Sequence, residues 1–313
     1  MHSRSTGLTK CNSKFDLALC ATVYPGVEPF LADWYQSVLA QTDPNFELWI
    51  ASDNLSIDVA MRAMGKDVKA HWVMAQPNDS PAQIRQRILA HVIETCTSVI
   101  LVDSDDMLHD SRVAAARKAI EAADLAGCAL RLVNEEGRDL GLTLSLPRET
   151  EASDVLPRHN VFGLSNSVYR SQLLRHCLPV PAGVDLVDWF LATKAWLMGA
   201  VLSFDPVVRM DYRQHGANMA PIRFPFEAKQ VIRDTRKVLG HYSQLLASPI
   251  ENALSDRLTM TQETALDVQL FFEQVVSRPK RLEEYIFNLN TLEPQVVWWW
   301  GVAQPALQWM WKD

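Results

Sequence analysis

The sequence predicts an α/β fold in which a parallel sheet carries helices on both faces. Apolar, strand-like runs alternate with amphipathic segments of helix length over roughly the first 130 residues. Three polar clusters fall at the carboxyl ends of those runs, where open α/β sheets hold their ligands: Thr22/Tyr24, Asp53, and Asp103/Asp105/Asp106. The length of 313 residues suits one large α/β domain with an extension, or two small domains.

In chain order, residues 1–14 read as a loose polar tail. Residues 16–23 form an apolar run ending in Tyr24-Pro25-Gly26, a buried strand and then a turn. Phe30, Leu31, Trp34, Val38 and Leu39 recur at helical spacing. Residues 46–52 form the second strand and 68–75 the third. Pro81 opens a helix capped by Ser80, with Ile84, Ile88, Leu89, Val92 and Ile93 on one face. Residues 98–102 form a fourth strand that ends in Asp103-Ser104-Asp105-Asp106. A helix over 111–125 and a strand over 128–133 follow. Residues 134–160 are polar, a loop with a short hairpin; 161–170 read as a strand, 186–199 as a helix and 200–214 as two short strands. After Pro221 the chain becomes charged and helical (227–247 and 257–289), then ends in a tryptophan-rich tail.

The composition narrows the function. A net charge of −7 and a pI near 5.6 disfavour a nucleic-acid partner, which would require cations along a phosphate backbone. Five scattered cysteines without a CxxC pair suggest reduced thiols in a cytoplasmic protein. The apolar stretch after the N-terminus is short and runs into a turn, so no cleaved signal is expected. No run reaches the ~18 apolar residues of a membrane span.

Clustered carboxylates at a strand end bind a hard divalent cation through oxygen, and substrate phosphates complete the shell. An acidic turn that caps the next helix would look the same. The segment TVYPGVEP after the first strand lacks the GxGxxG of a dinucleotide fold, and Walker A, HExxH, zinc-spacing and GxSxG motifs are also missing.

Four patterns, in this order, resemble glycosyltransferase family 2 and its rhamnosyltransferase-like members. They are Ala21-Thr22-Val23-Tyr24-Pro25, the stretch SVLAQTDPNFELWIASDNLS, Asp103-Ser104-Asp105-Asp106, and the pair Val187-Asp188-Trp189 with Tyr212-Arg213-Gln214-His215-Gly216-Ala217-Asn218. They span about residues 15–220. The resemblance implies a GT-A catalytic domain over 15–220 and a helical C-terminal region over 221–313. It implies an inverting transfer of a sugar from a nucleotide-diphosphate donor to a glycan or lipid-linked glycan, in surface-polysaccharide assembly. Asp188 would be the general base. Mn²⁺ or Mg²⁺ would be held by Asp103 and Asp105, with His215 completing the metal shell or touching a phosphate. Thr22, Tyr24, Asp53 and Ser104 would hold the donor, with Arg85 (or Arg87) on the base or a phosphate. Ser52 stands where the family has the first aspartate of its base-contact pair, and Val187 where relatives carry histidine or glutamate, so donor and sugar stay open.

Two rival functions share this architecture: a sugar-phosphate nucleotidyltransferase, which would need a glycine-rich basic loop after the first strand, and a non-catalytic binding protein. Trp298, Trp299, Trp300, Trp309 and Trp311 would dock the tail on the inner face of a membrane, on another subunit, or back on the catalytic domain.

Overall fold

The computed structural model describes residues 16–65, 68–147, 149–216 and 218–312; the expected tail at 1–14 and Cys11 lie outside them. The chain runs β1 (Leu17–Val23), α1 (Leu31–Leu39), β2 (Glu47–Ser52), α2 (Ile57–Met64), β3 (His71–Met74), α3 (Pro81–Thr95) and β4 (Ser98–Leu101). Then follow β5 (Met107–Leu108), α4 (Arg112–Ile120), β6 (Leu125–Val133), β7 (Asp139–Leu144), α5 (Ala152–Val155), β8 (Ser167–Arg170), α6 (Ser171–Cys177), α7 (Val187–Leu197) and β9 (Leu202–Arg213). Three long helices close the chain: α8 (Ala228–Ala247), α9 (Ser255–Phe271) and α10 (Pro279–Leu289).

One sheet holds the strands in the order β3-β2-β1-β4-β8-β6-β9-β5, with β7 paired to β6. β1 to β4 are parallel, and β8 runs antiparallel between β4 and β6. The chain builds outward from β1 through β2 to β3, then returns to place β4 on the other side of β1. This reversal opens a crevice beyond the carboxyl ends of β1 and β4.

β1 is buried at all seven positions, as a central parallel strand must be, and so reads as a continuous apolar run. On α3 the Ser80 hydroxyl accepts from the Gln83 N–H while the Gln83 side chain accepts from the Ser80 N–H. This reciprocal cap is worth about 1 kcal/mol and fixes the turn that carries Arg85. α7 is apolar nearly all round and is buried from Trp189 to Leu197. Burial of each large side chain there contributes roughly 1.5–3 kcal/mol.

Several boundaries differ from expectation. β6 begins at Leu125, so α4 stops at Ile120 where a longer helix was expected. The two strands expected over 200–214 are one strand, β9, interrupted by a bulge: Cys128 pairs with Asp205 but Ala129 with Val208. Pro206 lies in that bulge, because proline cannot donate to a ladder. Only 167–170 of the expected strand 161–170 is extended. The helical segment expected over 257–289 is broken by a π turn at Phe272–Val276 and restarts at Pro279. α2 and α6 were not anticipated. Cys20, Cys96, Cys128 and Cys177 are buried and joined in no disulfide. Among the described residues no helix is long and apolar enough to cross a membrane.

Candidate active site

A cleft of about 390 Å³ opens beyond the carboxyl ends of β1 and β4. Thr22, Tyr24, Asp53, Arg85, Asp103, Asp105 and Asp188 all line it. Of the residues expected to form a site, Ser104 and His215 are not on its wall. The Ser104 hydroxyl is fully buried and donates to the Thr22 carbonyl at 2.7 Å. This corrects the donor-binding expectation for that side chain, which ties the β4 turn to β1. His215 stands behind Asp105, its Nε2 2.8 Å from Asp105 Oδ2.

The three carboxylates after β4 each bring an oxygen within 4.8 Å of the others. Their surroundings separate their roles. Both oxygens of Asp106 are engaged, one by the Ser165 hydroxyl and one by the Arg213 N–H at 2.8 Å, and the side chain is buried. Asp106 therefore braces the turn, and its pKa is pushed up by burial and by the charges of Asp105 and Asp103. Asp105 is held by His215 and, at 3.3 Å, by the Tyr24 hydroxyl. The expected nucleoside contact of Tyr24 thus shares its hydroxyl with a carboxylate. Asp103 is open to the cleft, and Arg85 lies 3.7 Å from its Oδ1. Burial raises the Asp103 pKa, Arg85 opposes the rise, and the neighbouring Asp105 and Asp188 charges add to it, leaving it at about 7.

Arg213 holds this end of the sheet together. Its Nε donates to the Asp105 carbonyl at 2.9 Å, Nη2 meets Asp33 at 3.1 Å, and the guanidinium lies 4.9 Å from the centre of the Phe30 ring. The same ring packs 4.9 Å from His215. Sequence reasoning placed Arg213 in a motif without a role; a charged residue at the buried end of a strand was the available signal. Arg85 and Arg87 differ in placement. Arg87 is paired with Asp79 at 2.9 Å, whereas Arg85 faces the cleft.

Asp188 lies in the first turn of α7, where a helix N-terminus favours a carboxylate. Burial nonetheless raises its pKa to about 6, against the lowering pull of backbone N–H groups, Arg85 and Asn160. The Asn160 amide donates to Asp188 Oδ2 at 2.9 Å. Sequence reasoning missed Asn160, the last residue of the stretch read as a loop, and Ser165, which lies in the part of the expected strand 161–170 that is not extended.

Of the three dockings left open for the tail, the chain adopts the return to its own catalytic half. Trp298 bridges to Asn160, and Trp298 and Trp299 both line the cleft. Trp299 stacks on Trp189 at 6.3 Å, and Trp189 stacks on His241 at 4.0 Å. Trp300 stacks on Phe226, and Trp311 donates to Asp267 at 2.7 Å. Only Trp309 is largely exposed, at 57%. Gly163 lacks a Cβ for a reason: a methyl there would lie 2.5 Å from the Trp298 ring.

No protein-family model matches this sequence, and no curated protein does. Solved structures do resemble the fold. S. aureus TarS 1–349 in complex with UDP-GlcNAc aligns with a TM-score of 0.56 over 88% of this chain and 79% of that one, at 14% identity. The mannosyltransferase PcManGT from Pyrobaculum calidifontis, in complex with GDP-Man and Mn²⁺, aligns with a TM-score of 0.56 over 90% and 81%, also at 14% identity. The architecture is that of these glycosyltransferases: a mixed sheet with flanking helices and a helical C-terminal part.

Proposed function

We propose that this chain is an inverting, metal-dependent glycosyltransferase that moves a sugar from a nucleotide diphosphate to a hydroxyl of a glycan or lipid-linked glycan. One observation carries the proposal: the paired carboxylates Asp103 and Asp105 and the separate carboxylate Asp188 line the same cleft. The solved neighbours of the same fold, with UDP-GlcNAc in one and GDP-Man and Mn²⁺ in the other, support the donor class.

Asp103 and Asp105 suit a hard cation, since both offer carboxylate oxygen and neither cysteine nor histidine is among the described residues of the wall. When bound, Mn²⁺ or Mg²⁺ would neutralise charge growing on the departing diphosphate. His215 and Tyr24 orient Asp105 for that role, so His215 serves the metal from behind its ligand. Arg85 offers a guanidinium to the diphosphate beside Asp103, and Thr22 and Asp53 receive the nucleoside. Asp188 accepts the proton of the acceptor hydroxyl as that oxygen bonds to the anomeric carbon and the bond to diphosphate breaks. Attack from the face opposite the leaving group inverts the centre. A base with a pKa of about 6 is ionised at neutral pH yet still basic enough to share the proton in flight.

In this reading residues 15–220 form the catalytic region and 221–313 the helical region that roofs it. The setting is surface-polysaccharide synthesis on the cytoplasmic side, with Trp309 as the exposed aromatic available to a membrane surface.

The test is calorimetry with UDP, GDP, dTDP and CMP, each with and without Mn²⁺. Saturable binding of one nucleotide that requires the metal and vanishes in Asp105→Ala is the expected result. No binding to any of the four by folded protein with metal present overturns the donor class. Donor binding without transfer to any glycan acceptor would leave a binding protein on this fold.

A further inference from the structure

A second cleft, of about 590 Å³, lies past the opposite end of the central strands, where β4 begins and β8 ends. It is bounded by Asp124 before β6, Arg170 at the end of β8, Arg175 and His176 on α6, and Lys194 in the last turn of α7. No residue lines both clefts. α7 presents Asp188 to one and Lys194 to the other, about 9 Å apart along the helix at 1.5 Å per residue.

Lys194 is the unusual group. The residue is 4% exposed, and among the described residues its ammonium makes no hydrogen bond and no ion pair, so it is left to the cleft that it lines. The Phe190 ring lies beneath it, 5.8 Å from the ammonium. Burial lowers its pKa, with opposing pulls from Cys177 and Glu251. The stem of Lys194 is buried while its ammonium meets the cleft with Glu251 as its carboxylate neighbour, and an anion arriving from the cleft would complete its pairing.

The neighbouring charges are arranged to favour such a ligand. Asp124 accepts from the Val201 N–H at 2.9 Å and lies 3.6 Å from Arg170, so its charge is already met. Arg175 uses one amino group on Glu94 and the Ile93 carbonyl, which leaves the rest of its fork toward solvent. Arg170 also donates to the Ala123 and Glu121 carbonyls, at 3.0 and 3.1 Å, so Lys194 and Arg175 are the cations with most left for a ligand, and Glu251 is the one carboxylate on the wall that no ion pair engages. Leu173, Leu178 and Met198 supply apolar surface beside them.

We propose that this cleft binds a phosphoryl group attached to a larger, partly apolar body, with Lys194 as the central cation and Arg175 and Arg170 at its rim. A cleft of this volume exceeds what a lone phosphate would fill, and more than one cation is directed at it. The site is separate from the donor cleft and needs no divalent metal.

The test is calorimetric titration of the full chain with inorganic pyrophosphate in EDTA, against wild type, Lys194→Met, Arg175→Gln and Arg85→Ala. Wild type is expected to bind with a saturable isotherm. Lys194→Met and Arg175→Gln are expected to weaken it at least tenfold, while Arg85→Ala leaves it unchanged. Lys194→Met keeps a buried apolar stem and removes an ammonium that no hydrogen bond holds, so it is expected to fold, and Arg175 is exposed, so either variant can be read. No saturation below 10 mM, or full binding in Lys194→Met with loss in Arg85→Ala, overturns the site. Malonate serves as the dicarboxylate arm: binding as tight as that of pyrophosphate overturns the phosphoryl assignment.

Discussion

The Asn160 amide donates to Oδ2 of Asp188 at 2.9 Å, and the same residue pairs through its backbone with Trp298. The proposed base is therefore oriented by a residue that the C-terminal tail holds in place. Asn160 stabilises the ionised carboxylate and so lowers its pKa. Asn160→Ala removes that donor from a buried carboxylate, which is worth about 1.5–3 kcal/mol, or roughly one to two pK units. The acid limb of the kcat/KM profile is expected to move from about pH 6 to higher pH, with activity recovering in alkaline buffer. A loss that is uniform from pH 6 to 9 would assign Asn160 to structure alone.

Asp188→Asn keeps the size and hydrogen bonding of the side chain but cannot accept a proton. Donor affinity by calorimetry is expected to hold, while transfer falls by about 10²–10⁴-fold. Wild-type turnover in this variant would remove Asp188 from the proton transfer.

Metal binding should be linked to protons. Asp103 has a pKa near 7 because of burial and its carboxylate neighbours, and only the ionised form is a ligand. Apparent Mn²⁺ affinity is expected to rise with pH up to about 7 and to fall about tenfold per unit below it. In the absence of metal the sign of the stability effect is reversed. A carboxyl whose folded pKa exceeds its unfolded one binds more protons when folded, so the metal-free protein gains stability as pH falls from about 7 toward 4. Calorimetric titrations at several pH values, with thermal melts in EDTA, check both statements.

Gly163→Ala places a methyl 2.5 Å from the Trp298 ring, where the irregular 160–166 stretch and the tail meet. Overpacking of this kind costs about 1–3 kcal/mol. A lower melting temperature with a fall in kcat is expected. An unchanged melt would show that Trp298 can yield without consequence.

The parallel half of the sheet and its carboxyl-end clusters were legible in the sequence because they depend on local periodicity and strand-end chemistry. Thr22, Asp53 and Asp103 were read this way and Asp188 through the family resemblance, and all four line one cleft. What was not legible depends on long-range placement. Nothing near Asn160 in the sequence announces Asp188, which lies on another element, and nothing in the DSDD string distinguishes the braced Asp106 from the open Asp103. Ser104 was assigned to the donor because a hydroxyl in that motif looks available, yet the turn directs it inward to Thr22. The bulge at Pro206 concealed the continuity of β9, which brings Arg213 and His215 to the carboxylates.

The stack of His241, Trp189 and Trp299 joins three segments that are far apart in the chain: α8, the helix that bears Asp188, and the tail. The boundary near residue 220 is therefore a change of composition without being a line of independence. A chain ended there would expose the face of Trp189 and leave Asn160 without Trp298 beside it, so the two halves are expected to melt together. Substitutions in the tail are thereby a means of retuning the reacting cleft without altering a residue in the sheet that builds it.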